Sequence, residues 1–142
     1  MNNVSNPFYP VGRALIGVLF AVSGVNKIIG FSYVAGWMAS SGLPFANVLL
    51  AATILLEVGA GLMLITGIQA RLAAAALGLF LIPTTAIFHA FWSADAAGFQ
   101  GQLTHFLKNV AIFGSMLIVY GAERQRQGAA AVSARPIAAS VN

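Results

Sequence analysis

Hydrophobic residues in this chain form four long runs separated by short polar segments. The runs cover about residues 11–29, 46–66, 72–92 and 103–121, and each approaches the roughly 20 apolar residues that a helix needs to cross a bilayer. The connections between them are too short to hold a soluble domain. The pattern therefore predicts an all-α integral membrane four-helix bundle, with one domain over residues 1–127.

The segment between the first two runs predicts an additional short helix. Its sequence, FSYVAGWMASSGLPFAN, places several large apolar residues on one helical face, namely Phe31, Tyr33, Val34, Trp37 and Met38. Aromatic side chains suit the headgroup level of a bilayer. We therefore expect an interfacial helix that lies on the outer leaflet.

The end of the chain has a different composition. Residues 128–142 are rich in Ala and Ser and include Pro136. This composition has too few large apolar residues to build a packed element. We predict a disordered C-terminal tail.

The overall composition supports a membrane protein and excludes several kinds of site. Hydrophobic residues make up 59% of the chain and charged residues 7%, compared with roughly 25% charged residues in soluble domains. Cysteine is absent, which excludes a disulfide, a thiolate nucleophile and a cysteine-ligated metal. No nucleotide-phosphate loop or metal-ligand spacing is present. The basic residues are dispersed, so the net charge of +4 does not indicate a nucleic-acid partner.

The basic residues also predict the orientation. Most of them flank the end of the bundle that holds the two termini and the link between the second and third runs: Arg13, Arg71, Arg124, Arg126 and Arg135. Lys27 and Lys108 lie towards the opposite end. By the positive-inside rule, both termini should be cytoplasmic. We expect a multi-pass protein of the bacterial inner membrane.

One acidic residue lies deep in the second run. Glu57 follows the start of that run by a distance of about 16 Å at 1.5 Å per residue. An ionisable group at such a depth costs on the order of 2.5 to 3.5 kcal/mol and needs a partner. Lys27 is a candidate because its long side chain can point inwards, but it lies nearer the outer surface, and direct pairing stays open at this stage.

Further polar residues gather at the outer ends of the first, third and fourth runs. They are Asn26, Lys27, His89, His105, Lys108 and Asn109. We predict that they rim a polar pocket for a quinone head or a small anion, with Glu57 below it as a proton relay. The alternative is structural: Glu57 holds helices together, and His105 and Lys108 are interfacial anchors.

The order of these polar residues within the spans resembles the DoxX family of small four-helix bacterial membrane proteins. The motifs that carry the resemblance are SGVNK in an arginine-led first span, LLEVGAGLMLITG, QARLAA, FHAFW and HFLKNVAIFGSMLIVY. The resemblance covers almost everything from Arg13 to Gly121. The family is named after a membrane subunit of a thiosulfate:quinone oxidoreductase, and some relatives are linked to thiol and oxidative-stress complexes. Carried over by position, the matching polar residues are Lys27, Glu57, His89, His105, Lys108 and Asn109.

The resemblance implies a membrane subunit associated with a quinone-linked oxidoreductase in sulfur or oxidative-stress metabolism. Its partners would be the lipid bilayer, a quinone, an oxidoreductase and further copies of the chain. The sequence contains no self-sufficient catalytic constellation, so whether the chain is an enzyme stays open. The alternative is a non-catalytic membrane anchor or assembly factor for soluble enzymes, and a small-molecule carrier is a third hypothesis.

Overall fold

The computed structural model describes residues 7–133, which form helices joined by short connections. The helices are α1 (Phe8–Ile29), α2 (Phe31–Ser40), α3 (Ala46–Thr66), α4 (Ala70–Phe88) and α5 (Phe99–Ser133), with a 3-10 turn at Phe91–Ser93. All except α2 are long and apolar enough to cross a membrane. The prediction of an all-α protein with four candidate spans is confirmed.

The end of α4 and the end of α5 lie at other residues than the sequence pattern predicts. The third span was expected to reach residue 92, but α4 ends at Phe88 and the 3-10 turn follows it. The helix α5 continues to Ser133 and so includes residues 128–133 of the segment that the sequence predicts as a disordered tail. Extending an existing helix avoids the cost of nucleation, and Ala is the best helix former. Residues 134–142 lie outside the described part of the chain.

The short helix between the first two spans is confirmed, and it packs on α3. Its residues Ala35 and Met38 are buried together with Leu50 of α3, whereas Tyr33 on the other side of α2 is 82% exposed. The helix thus has one face against the bundle. Its position at a membrane interface stays a prediction.

The helices α1 and α3 touch backbone to backbone. A Cβ atom added at Gly17 would lie 2.6 Å from the carbonyl oxygen of Gly61, and one added at Gly24 would lie 2.6 Å from Cγ2 of Val58. Small residues at both crossing points permit this approach. The contact matters for function because it determines which residues of α1 and α3 lie at the same level.

The other helices complete the bundle around a compact apolar core. Leu64, Leu77 and Met116 are fully buried where α3, α4 and α5 meet. The outward residues are also apolar: Leu55, Leu79 and Ile118 are 76%, 69% and 70% exposed. A bundle that is apolar both inside and outside is suited to a lipid environment.

Candidate functional site

A buried ion pair joins α1 to α3 at the middle of the bundle. The Nζ atom of Lys27 lies 2.8 Å from Oε2 and 3.1 Å from Oε1 of Glu57, and it also donates to the Oγ atom of Ser23 at 2.7 Å. The side chain of Glu57 is 6% exposed and that of Lys27 is 25% exposed. The direct pairing that the sequence left open is present.

The contact between the helices explains how Lys27 reaches an acid that deep. A Cβ atom at Gly24 would lie 3.3 Å from Cβ of Glu57, so these two residues are at the same level. Lys27 follows Gly24 by three residues, or about one helical turn. Its long side chain therefore needs to fold back by only one turn.

The ion pair forms part of the wall of a cavity of about 640 Å³. The other walls are mainly apolar and include Leu50 of α3 and Phe80 of α4. Trp37 of α2 and Phe88 of α4 also line the cavity, and their ring centroids lie 4.5 Å apart. The cavity therefore combines flat aromatic surface with one buried charged pair.

The cavity has an edge that faces outwards between the helices. Trp37, Leu49 and Ile87 line it, and each also has an exposed side, with 46%, 40% and 45% exposure. In a bundle that crosses a bilayer, such apolar residues face lipid. A molecule dissolved in the membrane could therefore enter the cavity from the side.

Two histidines lie at the wall of the same cavity. The rings of His89 and His105 are stacked with centroids 5.0 Å apart and planes inclined by 18°. Nδ1 of His89 lies 3.2 Å from Oε1 of Gln102. When Nδ1 carries the hydrogen, it donates to this oxygen and leaves Nε2 as an acceptor.

The remaining predicted site residues lie elsewhere. Asn26 and Lys108 are exposed and do not line the cavity. Asn109 donates to the hydroxyl oxygen of Thr85 at 3.0 Å and lines a separate groove of about 280 Å³ between α4 and α5. The structure therefore brings Lys27, His89 and His105 to the site of Glu57 and leaves out Asn26, Lys108 and Asn109. The cause is helix rotation, because Asn109 turns towards α4 and the adjacent Lys108 turns away.

A second polar cluster, which the sequence analysis missed, joins α1 to α5 near the termini. Oε1 of Glu123 accepts from the hydroxyl of Tyr9 at 2.9 Å and from NH1 of Arg13 at 3.1 Å. The side chains of Arg13 and Glu123 are 10% and 11% exposed. Glu123 follows the last apolar run, where an acid is ordinarily solvated, so the sequence alone does not predict its burial.

Comparison with known proteins places this architecture in a family. The sequence model of the DoxX family matches residues 9–90, which is more than half of the chain. The chain belongs to the DoxX family. The matched part extends from α1 to the end of α4 and contains Lys27, Glu57 and His89, whereas His105 of this DoxX protein lies beyond it.

Two relatives of this DoxX protein come from Escherichia coli strain K12. The inner membrane protein YqjF is 33% identical over 109 residues, and the inner membrane protein YphA is 26% identical over 109 residues. Each alignment covers 77% of this chain and 78% of the relative. No solved structure gives a significant match.

Proposed function

We propose that this DoxX protein is an inner-membrane subunit that binds a quinone in its cavity and works with a quinone-linked oxidoreductase in sulfur or oxidative-stress metabolism. The observation that carries the proposal is a laterally accessible, mainly apolar cavity in which a buried ion pair lies. The names of the relatives support the inner membrane. The excess of arginines near the termini supports cytoplasmic termini.

The dimensions and the chemistry of the cavity suit a ring with polar substituents and an apolar tail. Ligand sites commonly have volumes of roughly 300 to 1,000 Å³ and apolar walls with a few polar groups. Here the rings of Trp37 and Phe88 offer stacking surface, and the carboxylate of Glu57 offers hydrogen-bond acceptors. The outward edge at Leu49 and Ile87 leaves space for a tail that extends into lipid.

In this role Glu57 accepts a proton from a ring hydroxyl and Lys27 holds the carboxylate in place. Both functions fit the contacts, because the ammonium group of Lys27 contacts both carboxylate oxygens of Glu57. Electrons require a partner, since the chain lacks cysteine and carries no redox constellation of its own. The oxidoreductase subunit would supply that chemistry.

One feature favours a second candidate function, a membrane anchor or assembly factor. The helix α5 has 35 residues and is about 52 Å long at 1.5 Å per residue. The hydrocarbon core of a bilayer is only about 30 Å thick. The part of α5 that follows Glu123 therefore extends past the bundle on the side where α1 begins. A soluble enzyme could dock there.

Quinone content tests the proposal. We expect the protein purified from its native membrane in a mild detergent to retain about one quinone per chain, measured by solvent extraction and mass spectrometry. Thr53→Phe should remove the quinone, because Thr53 is a half-buried residue that lines the cavity. The matched control is Ala86→Phe, which places the same ring in the groove between α4 and α5.

The two candidate functions give different results in this experiment. Quinone that is retained by Ala86→Phe and lost by Thr53→Phe supports a ligand-binding subunit. Absence of quinone from the unmodified protein, together with one soluble enzyme that co-purifies at constant ratio, would contradict it and support the anchor.

A further inference from the structure

We infer that the polar part of the cavity is a hydrogen-bond acceptor site, which selects a ring that bears a hydroxyl group over a ring that bears a carbonyl or an anionic group. The inference rests on the proposed function and specifies its ligand: the reduced quinol would bind in preference to the oxidised quinone. Lys27 and Glu57 differ in how many of their hydrogen-bonding positions are already used within the protein.

The ammonium group of Lys27 is already surrounded by acceptors of the protein itself. Three oxygens lie within 3.1 Å of its Nζ atom: Oγ of Ser23 and both carboxylate oxygens of Glu57. A carbonyl or an anion would have to compete with these oxygens for the N–H bonds. The expectation that Lys27 binds an anionic headgroup is therefore disfavoured by its own contacts.

The carboxylate of Glu57, in contrast, has hydrogen-bond acceptor positions that the protein does not use. Its two oxygens offer about four acceptor positions, and Lys27 takes two of them. No other donor reaches this carboxylate within residues 7–133, although the side chain is only 6% exposed. Because Glu57 lines the cavity, the ligand is the group that can supply the missing donors. A ring hydroxyl satisfies this requirement and a carbonyl does not.

Two other polar groups of the cavity wall can also accept a hydrogen bond from a ligand. The hydroxyl of Thr84 donates its hydrogen to the carbonyl oxygen of Phe80 at 2.8 Å and keeps a free lone pair. Nε2 of His89 is an acceptor when Nδ1 donates to Gln102. The wall therefore presents acceptors at more than one level, which suits a ligand that brings its own hydroxyl hydrogens.

Binding of three matched, redox-inactive probes tests the inference. The probes are 4-decylphenol, its methyl ether 4-decylanisole and the anion 4-decylbenzoate, and the method is isothermal titration calorimetry on the purified protein in detergent, with protein-free micelles as the blank. We expect the phenol to bind about tenfold or more tightly than the ether, because a hydrogen bond to a charged acceptor is lost in the ether. The anion should bind more weakly than the phenol.

Two variants test whether Glu57 is the acceptor that causes the preference for the phenol. Glu57→Leu, which removes both acceptor oxygens, should bring the affinity for the phenol close to that for the ether. Glu123→Leu is the matched control, because it removes the carboxylate of the other buried acid, which does not line the cavity. That variant should keep the preference for the phenol.

Each result has a separate meaning. Equal binding of phenol and ether by the unmodified protein, or tightest binding of the benzoate, would overturn the inference and leave the proposed ligand site standing. Binding of none of the probes would overturn the inference and the proposed function together. A preference for the phenol that survives Glu57→Leu would also contradict the inference, because the acceptor would lie elsewhere.

Discussion

Lys27→Met is expected to destabilise the folded protein by about 3 to 5 kcal/mol, which is the range for removing one partner of a buried ion pair. The substitution leaves the carboxylate of Glu57 at 6% exposure without a cation. Within the described part of the chain, no second basic side chain forms a salt bridge with Glu57. The side chain of Met has a similar length and is apolar, so packing is largely retained and the effect comes from the charge.

Removing the acid instead should cost less. Glu57→Leu leaves a lysine that is 25% exposed, and its flexible stem can carry the ammonium group towards water. The double variant Lys27→Met with Glu57→Leu should recover much of the stability lost by Lys27→Met alone, because no unpaired charge remains.

Equilibrium unfolding of the three variants in the same detergent measures these differences. The unmodified protein should be the most stable, and Lys27→Met should be the least stable. Glu57→Leu and the double variant should both be more stable than Lys27→Met. Additive losses in the double variant would contradict the interpretation, since they would mean that the two residues contribute independently.

Gly17→Val should be the second large effect, with a loss of about 3 kcal/mol at the upper end of the cost of overpacking. A Cβ atom there would lie 2.6 Å from the carbonyl oxygen of Gly61 and 2.9 Å from the backbone nitrogen of Ile65. Backbone atoms of a packed helix cannot move aside as a flexible side chain can. The helices α1 and α3 would have to separate, and the Lys27–Glu57 pair would lengthen with them.

Gly59→Val is the matched control for this prediction. Gly59 lies on α3 close to Gly61, but nothing is within 4 Å of its Cβ position. We expect its effect on the free energy of unfolding to stay within about 0.5 kcal/mol. Thermal unfolding in detergent measures both variants. Similar losses for Gly17→Val and Gly59→Val would mean that glycine flexibility rather than close contact governs this part of the bundle.

The helices were predictable because a bilayer requires long apolar segments. The boundaries of α3 in particular agree with the second apolar run, since Gly67 follows its last residue and lies in the left-handed region at φ 83°. The continuation of α5 to Ser133 was missed because its end contains no large apolar face and resembles a tail in composition. Once a helix is established, that end needs only good helix formers to continue.

The candidate site was predictable in part. Glu57 stood out because an acid in an apolar run needs compensation, and Lys27 was the evident partner. Whether they touch depends on the offset between α1 and α3, and the contact between Gly17 and Gly61 determines it. The position of each residue along its own helix does not give that offset.

Helix rotation was the second unknown. Lys108 and Asn109 are adjacent in the sequence, but only Asn109 turns towards α4. A few tens of degrees of rotation decide such an assignment, and the apolar pattern of α5 is too even to specify it. Glu123 was missed for a related reason, because its burial depends on Tyr9 and Arg13 arriving from the other end of the chain.

Photoaffinity labelling with an azidoquinone that is kept in its reduced quinol form, followed by peptide mass spectrometry, tests most directly whether such a ring occupies the cavity. We predict labelling at residues that line it, such as Trp37, Leu50 and Phe88, and suppression of this labelling by an excess of unlabelled quinol. Labelling confined to the outward residues Leu55 and Leu79, or labelling that unlabelled quinol does not suppress, would contradict the proposed site.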